Sequence, residues 1–148
     1  MFKEAIKMVG HLNLFLTDEN GNVKLDANYP NLVVSTGKEY IAQRMTSNNT
    51  TIMSNIAVGS NGTTPGNSNT ALISEISRTV FSSTNVSGNT ITYVASFGAG
   101  IAVGALQEAG IFNSETANSG TMLCRTTFPV VNKEINDTFT VTWNVSPN

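Results

Sequence analysis

The stretch Thr138-Phe139-Thr140-Val141-Thr142-Trp143-Asn144-Val145 carries the clearest alternation in the chain. Phe139, Val141, Trp143 and Val145 fall on one side of an extended backbone, and Thr140, Thr142 and Asn144 on the other. That period of two defines a strand with one buried face. The large residues of this strand read as core in preference to a subunit interface. The preceding run, Met122 to Val130, reads as its companion, so the chain closes on two strands.

Working outward, the same signature recurs. In Val9 to Thr17, Leu12, Leu14 and Leu16 alternate with His11, Asn13 and Phe15. Asp18-Glu19-Asn20-Gly21 is a strong turn signal, and Asn22 to Leu25 returns as a short partner strand. Asn28-Tyr29-Pro30-Asn31 punctuates before a brief extended run, Leu32 to Val34. In Thr90 to Phe97, Ile91, Tyr93, Ala95 and Phe97 share a face, after a turn at Gly88-Asn89. Thr51 to Val58 reads as a strand, with Ile52, Ile56 and Val58 as candidates for burial. Residues 59–69 hold no packing side chain and form a long exposed loop. Thr70 to Arg78 is an extended or briefly helical lead into a strand at Thr79 to Ser82. Ile101 to Ile111 is apolar, and its glycines at 104 and 110 argue against an uninterrupted helix. Residues 113–120 are a hairpin-like connection.

One helix is expected, starting at Ser35 or Thr36 and ending by Thr46 or Ser47. Thr36 and Glu39 can form a capping box, and Gly37, Tyr40, Ile41 and Met45 supply an apolar stripe. Seven or eight strands with one helix predict a mainly β fold, an antiparallel β-sandwich with one short α-helix. Residues 1–148 read as a single domain. Residues 1–8 read as an extended N-terminal arm, whose apolar Phe2, Ile6 and Met8 project to a neighbour.

Composition agrees with a β domain. The chain has 19 Asn and 19 Thr, and only 12% of its residues are charged. Thr favours strands and Asn the turns between them. The net charge is −2, and eight dispersed basic residues make neither a track for nucleic acid nor a polybasic membrane patch. No apolar run is long enough to span a membrane as a helix. Cys124 is the single cysteine, within Met122-Leu123-Cys124, and reads as a small buried hydrophobe. This excludes an intrachain disulfide and fits folding in a reducing interior.

No residue pattern in the chain supplies a catalytic, cofactor-binding or metal-ligating site. His11 is the only histidine and reads as a surface or packing residue. Asp18, Glu19, Asn20 and Asn22 lack the spacing of a calcium loop. Gly59-Ser60-Asn61-Gly62 lacks the ending of a phosphate loop, and no serine sits in a nucleophile elbow. Glu75 and Glu108 lie in apolar surroundings where an unpaired carboxylate is costly, so pairing with Arg78 or Arg125 is one reading and simple solvent exposure the other. Gly110 marks a tight turn or a close backbone approach.

One resemblance can be read. Ile56-Ala57-Val58-Gly59-Ser60-Asn61-Gly62-Thr63-Thr64-Pro65 comes first, then Thr70-Ala71-Leu72 with Glu75 and Arg78. Leu106-Gln107-Glu108-Ala109-Gly110-Ile111-Phe112-Asn113 follows, and then Gly120 to Phe128 and Thr138 to Trp143. This order, across roughly residues 32 to 145, resembles small virion structural proteins of tailed bacterial viruses, of the tail, fibre-base or capsid-decoration type. The resemblance implies a noncatalytic particle component, made in the bacterial cytoplasm and present in the virion in symmetric copies. The expected partners are copies of itself and other virion proteins. A trimer is the expected number, because many fibre and decoration elements of such viruses are trimeric; six- or twelve-fold symmetry around a tail tube is the open alternative. The competing reading is a receptor- or carbohydrate-binding module. In it, the 59–69, 83–89 and 113–120 loops offer Asn and Ser hydrogen bonds to a host-surface glycan.

Overall fold

Strand β9 (Thr138–Pro147) meets the expected alternation residue for residue, with Phe139, Val141, Trp143 and Val145 buried and their neighbours half-buried. It lies between two other alternating strands. Strand β1 (Met8–Thr17) pairs on one side, Leu12 opposite Trp143 and Leu14 opposite Val141. Strand β6 (Thr90–Phe97) pairs on the other, Tyr93 opposite Trp143 and Phe97 opposite Phe139. Matching registers put Leu12, Leu14, Leu16, Tyr93, Phe97, Phe139, Val141 and Trp143 on one face, which is the floor of the core, with Phe15 on the other.

The computed structural model describes residues 5–46 and 50–147. The remaining elements are β2 (Val23–Val33), α1 (Ser35–Thr46), β3 (Asn55–Gly59), β4 (Glu75–Val80), β5 (Ser83–Ser87), β7 (Gly104–Phe112) and β8 (Met122–Lys133). All nine strands of the described residues belong to one antiparallel sheet, in the order β4-β3-β7-β8-β2-β1-β9-β6-β5. The sheet curls into a half-barrel whose edges are 9 Å apart.

This corrects the expected β-sandwich. The difference lies in β2. Its residues from Val23 to Asn31 pair with β1, and its last two, Leu32 and Val33, pair with Arg125 and Cys124 of β8. The two layers of a sandwich are thereby hydrogen-bonded into one surface. At the far ends of the sheet, Phe81 and Ser82 link β4 directly to β5. Phe81 N–H donates to Ser54 O (2.9 Å) and Ser82 N–H to Val94 O (2.7 Å), which brings the two edges towards each other.

Strand β2 also runs unbroken through Pro30, where punctuation was expected. Because β8 pairs only from Leu32 onward, the stretch holding Pro30 is open along that side. A residue without an N–H is tolerated there. Strand β5 falls within what was expected as the 83–89 loop. Its Ser-Thr-Asn-Val-Ser sequence has no buried face, and pairing with β6 alone makes it a strand.

Two apolar clusters form. The larger fills the concave side of the curl. The smaller, Val34, Ala57, Leu72, Phe112 and Met122, lies on the convex side under residues 60–74. Strand β3 is therefore buried on both faces.

Candidate functional site

Helix α1 lies beside β8 at one end of the half-barrel. Gly37 permits this approach, since a side chain there would fall on the carbonyl oxygen of Leu123. The helix begins where the sequence places it, with a different cap. Lys38 N–H donates to Val34 O, Ser35 N–H to Asn67 O, and the Thr36 hydroxyl to Met122 O (3.1 Å). Thr36 thus anchors the helix to β8 instead of forming the expected box with Glu39.

Gly37 and Tyr40 are buried, and Ile41 packs at the core's edge. Met45, expected in the buried stripe, is 81% exposed, and Ile52, expected in the core, is 62% exposed. These two belong to an apolar mouth formed by two clefts that share Met8, Ile41 and Met45. One, of about 750 Å³, is lined also by Ile6, Val9 and Leu32. The other, of about 610 Å³, reaches Ile52, Val86 and Tyr93. Among the described residues, Lys7, Lys38 and Arg44 are the only charged groups lining either cleft. Burial pushes the Tyr93 hydroxyl up to about 12. Of the apolar N-terminal residues, Ile6 lines the mouth, Met8 opens β1, and Phe2 lies outside the described residues. Of the expected arm, residues 1–4 likewise lie outside them.

Of the two readings of Glu75 and Glu108, the structure shows pairing, on the convex face. Arg125 donates from Nε (3.0 Å) and Nη2 (2.9 Å) to Glu108 Oε2, and both side chains are fully buried. Glu108 also accepts the backbone N–H of Ile73 (3.0 Å) and Ser74 (2.7 Å). Arg125 Nη1 donates to Thr63 O (2.9 Å) and Asn69 Oδ1 (3.2 Å). One ion pair thus pins residues 60–74 to the sheet. Arg78 makes a two-pronged contact with Glu75 (2.9 and 2.6 Å), donates to Ser114 O and Ser119 O, and stacks 4.3 Å over Phe112. That pair pins residues 113–120. Gly110 proves to be a close approach within β7, with Cys124 O and Leu72 each 3.1 Å from where a Cβ would stand.

The other candidates stay apart. His11 is exposed on β1, 3.3 Å from Asn144. Cys124 is buried, and burial pushes its thiol well up. Asp18 closes its own turn, accepting from Asn20 N–H, Asn22 N–H and Asn22 Nδ2 (2.9, 2.9 and 3.0 Å). Those bonds, Asn22's side chain first, hold its carboxyl below the ordinary range. Among the described residues no group of three or more His, Cys, Asp or Glu is placed to hold a metal. Sequence reasoning missed the mouth. Ile52 and Met45 each sit in a pattern that reads as buried, and Val86 sits in a stretch without one.

No protein-family model, curated protein or solved structure matches this chain.

Proposed function

We propose that the chain is a noncatalytic structural component that joins or decorates symmetric assemblies through protein–protein contacts, as the small virion proteins it resembles do. The observation that carries this reading is the apolar mouth. Ile6, Val9, Met45, Ile52 and Val86 are between 42% and 81% exposed around it, on a chain with only 12% charged residues. Contiguous apolar surface of this kind marks an interaction site, because leaving it in water forfeits about 25 cal/mol per Å². Strand β5 adds to it. All five of its residues are exposed at the sheet's edge, and none is a charge or a proline to guard that edge. Copies of the chain and other virion proteins are the partners this surface fits. The place of action is the virion, after synthesis in the bacterial cytoplasm.

The receptor- or carbohydrate-binding alternative draws less support. Its loops spend side-chain polarity internally: Asn69 Oδ1 accepts from Arg125, Asn61 Oδ1 accepts from Thr63 N–H, and the Ser114 and Ser119 hydroxyls bond each other. Mass measurement across a dilution series tests the assembly reading, with concentration-dependent multimers expected. A chain that stays monomeric, is absent from any particle, and binds one glycan saturably in a screen would replace it with the alternative.

A further inference from the structure

The mouth has a counterpart at the opposite end of the molecule. Strands β1 and β9 run the whole length, Met8 pairing with Pro147 beside the mouth and Thr17 with Thr138 at the far end. Ten residues of strand separate the two ends by about 30 Å. At the far end, Gly100 N–H donates to Ile135 O (2.7 Å), which ties the loop after β6 to the turn before β9. This groups three exposed aliphatic residues, Ile101 (47%), Val103 (44%) and Ile135 (64%). Asp18, Glu19, Glu134 and Asp137 line the cleft beside them. Two cations stand among these carboxylates. Lys24 contacts Asp137 (2.7 Å) and Glu134 (3.7 Å), and Lys133 is buried with its ammonium on Gly98 O. Carboxylates therefore remain in excess, and Glu19 and Glu134 are exposed.

One end thus exposes aliphatic side chains beside an acidic cleft. The other is an apolar cleft bordered by Lys7, Lys38 and Arg44. Glu39, the acid on α1, lies in a separate small cleft with Thr36 and Gln43. We infer that the acidic end of one copy docks into the mouth of the next, so that copies associate head to tail. This rests on the assembly role proposed above and names its contact. Two mouths face to face would set cations against cations, and two acidic ends carboxylates against carboxylates. Two-fold pairing through either end is therefore disfavoured. A head-to-tail contact is heterologous, and it closes into a ring when its rotation permits or otherwise propagates.

A charge swap in the full-length chain tests this. One variant reverses the mouth (Lys7→Glu with Lys38→Glu) and another reverses the far end (Glu19→Lys with Glu134→Lys). Sedimentation velocity of each alone should show self-association weakened on the order of 100-fold, because like charges now meet. An equimolar mixture of the two should regain wild-type association, since each altered end finds its opposite. A mixture as weak as its components overturns the inference. If the wild type associates and neither reversal weakens it, the head-to-tail contact is wrong while the assembly role stands on another surface. If the wild type stays monomeric and the mixture does too, the contact fails and self-association falls with it.

Discussion

Glu108 and Arg125 are worth more to the fold than an ion pair in isolation. Removing one partner from a buried pair costs about 3–5 kcal/mol, a large share of a typical domain's stability. Replacing both by apolar residues is often neutral elsewhere. Here it would leave Ile73 N–H, Ser74 N–H and Thr63 O without their partners. We expect Arg125→Met to lower unfolding stability by about 3 kcal/mol or more. The double variant Glu108→Leu with Arg125→Met should stay clearly below wild type, as measured by denaturant titration. Tyr93 gives a pH signature. Its hydroxyl is raised by burial from 10.0 to about 12, so between those values the unfolded chain has lost a proton that the folded chain keeps. Stability therefore falls as pH climbs through that window, and Tyr93→Phe should flatten the fall. At this scale the sequence was legible wherever chemistry forces a partner: a carboxylate in apolar surroundings needs a cation, and Trp143 and Cys124 need the core. The identity of the partner was open, because pairing Glu108 with Arg125 depends on β7 and β8 lying side by side.

Among the elements, α1 depends on a glycine. An alanine at position 37 would improve helix propensity by about 1 kcal/mol. Its Cβ would meet the backbone of Leu123, which cannot swing aside as a side chain can. Overpacking of about 1–3 kcal/mol should win. Gly37→Ala is therefore expected to lower the denaturation midpoint, whereas Gln43→Ala, at an exposed position of the same helix, should not. Strands β1, β6 and β9 could be read from the sequence because each has one wet and one dry face. Strand β5 could not, since both its faces are wet and only the ladder to β6 defines it. Ile52 misled for the reverse reason: an apolar residue at a plausible spacing was assigned to the core, although the sheet there opens into the mouth.

For the molecule as a whole, the antiparallel β character and the single helix followed from local pattern, but the curl did not. Whether two sets of strands stack or join is decided by two residues at the end of β2, and no periodicity distinguishes the outcomes. Strand β9 holds β1 against β6 across the floor of the core. A chain truncated after Asp137 should accordingly lose its cooperative thermal transition by circular dichroism instead of merely fraying, with Leu12, Leu14 and Phe97 left open to water. Charge complementarity between the two ends makes a further prediction. Raising ionic strength to about 1 M shortens the screening length from about 8 to about 3 Å, which should weaken self-association seen by sedimentation. An apolar contact without charges would hold or strengthen.

The pairing of Met8 with Pro147 has a practical consequence for handling the protein. An affinity tag joined close to Met8 or Pro147 would enter beside the mouth and compete with whatever docks there. A tagged preparation that stays dispersed would then report on the tag. Linking the strand ends at Met8 and Pro147 and reopening the chain between Glu19 and Asn20 would move a tag to the other pole, leaving the mouth clear and masking the acidic border.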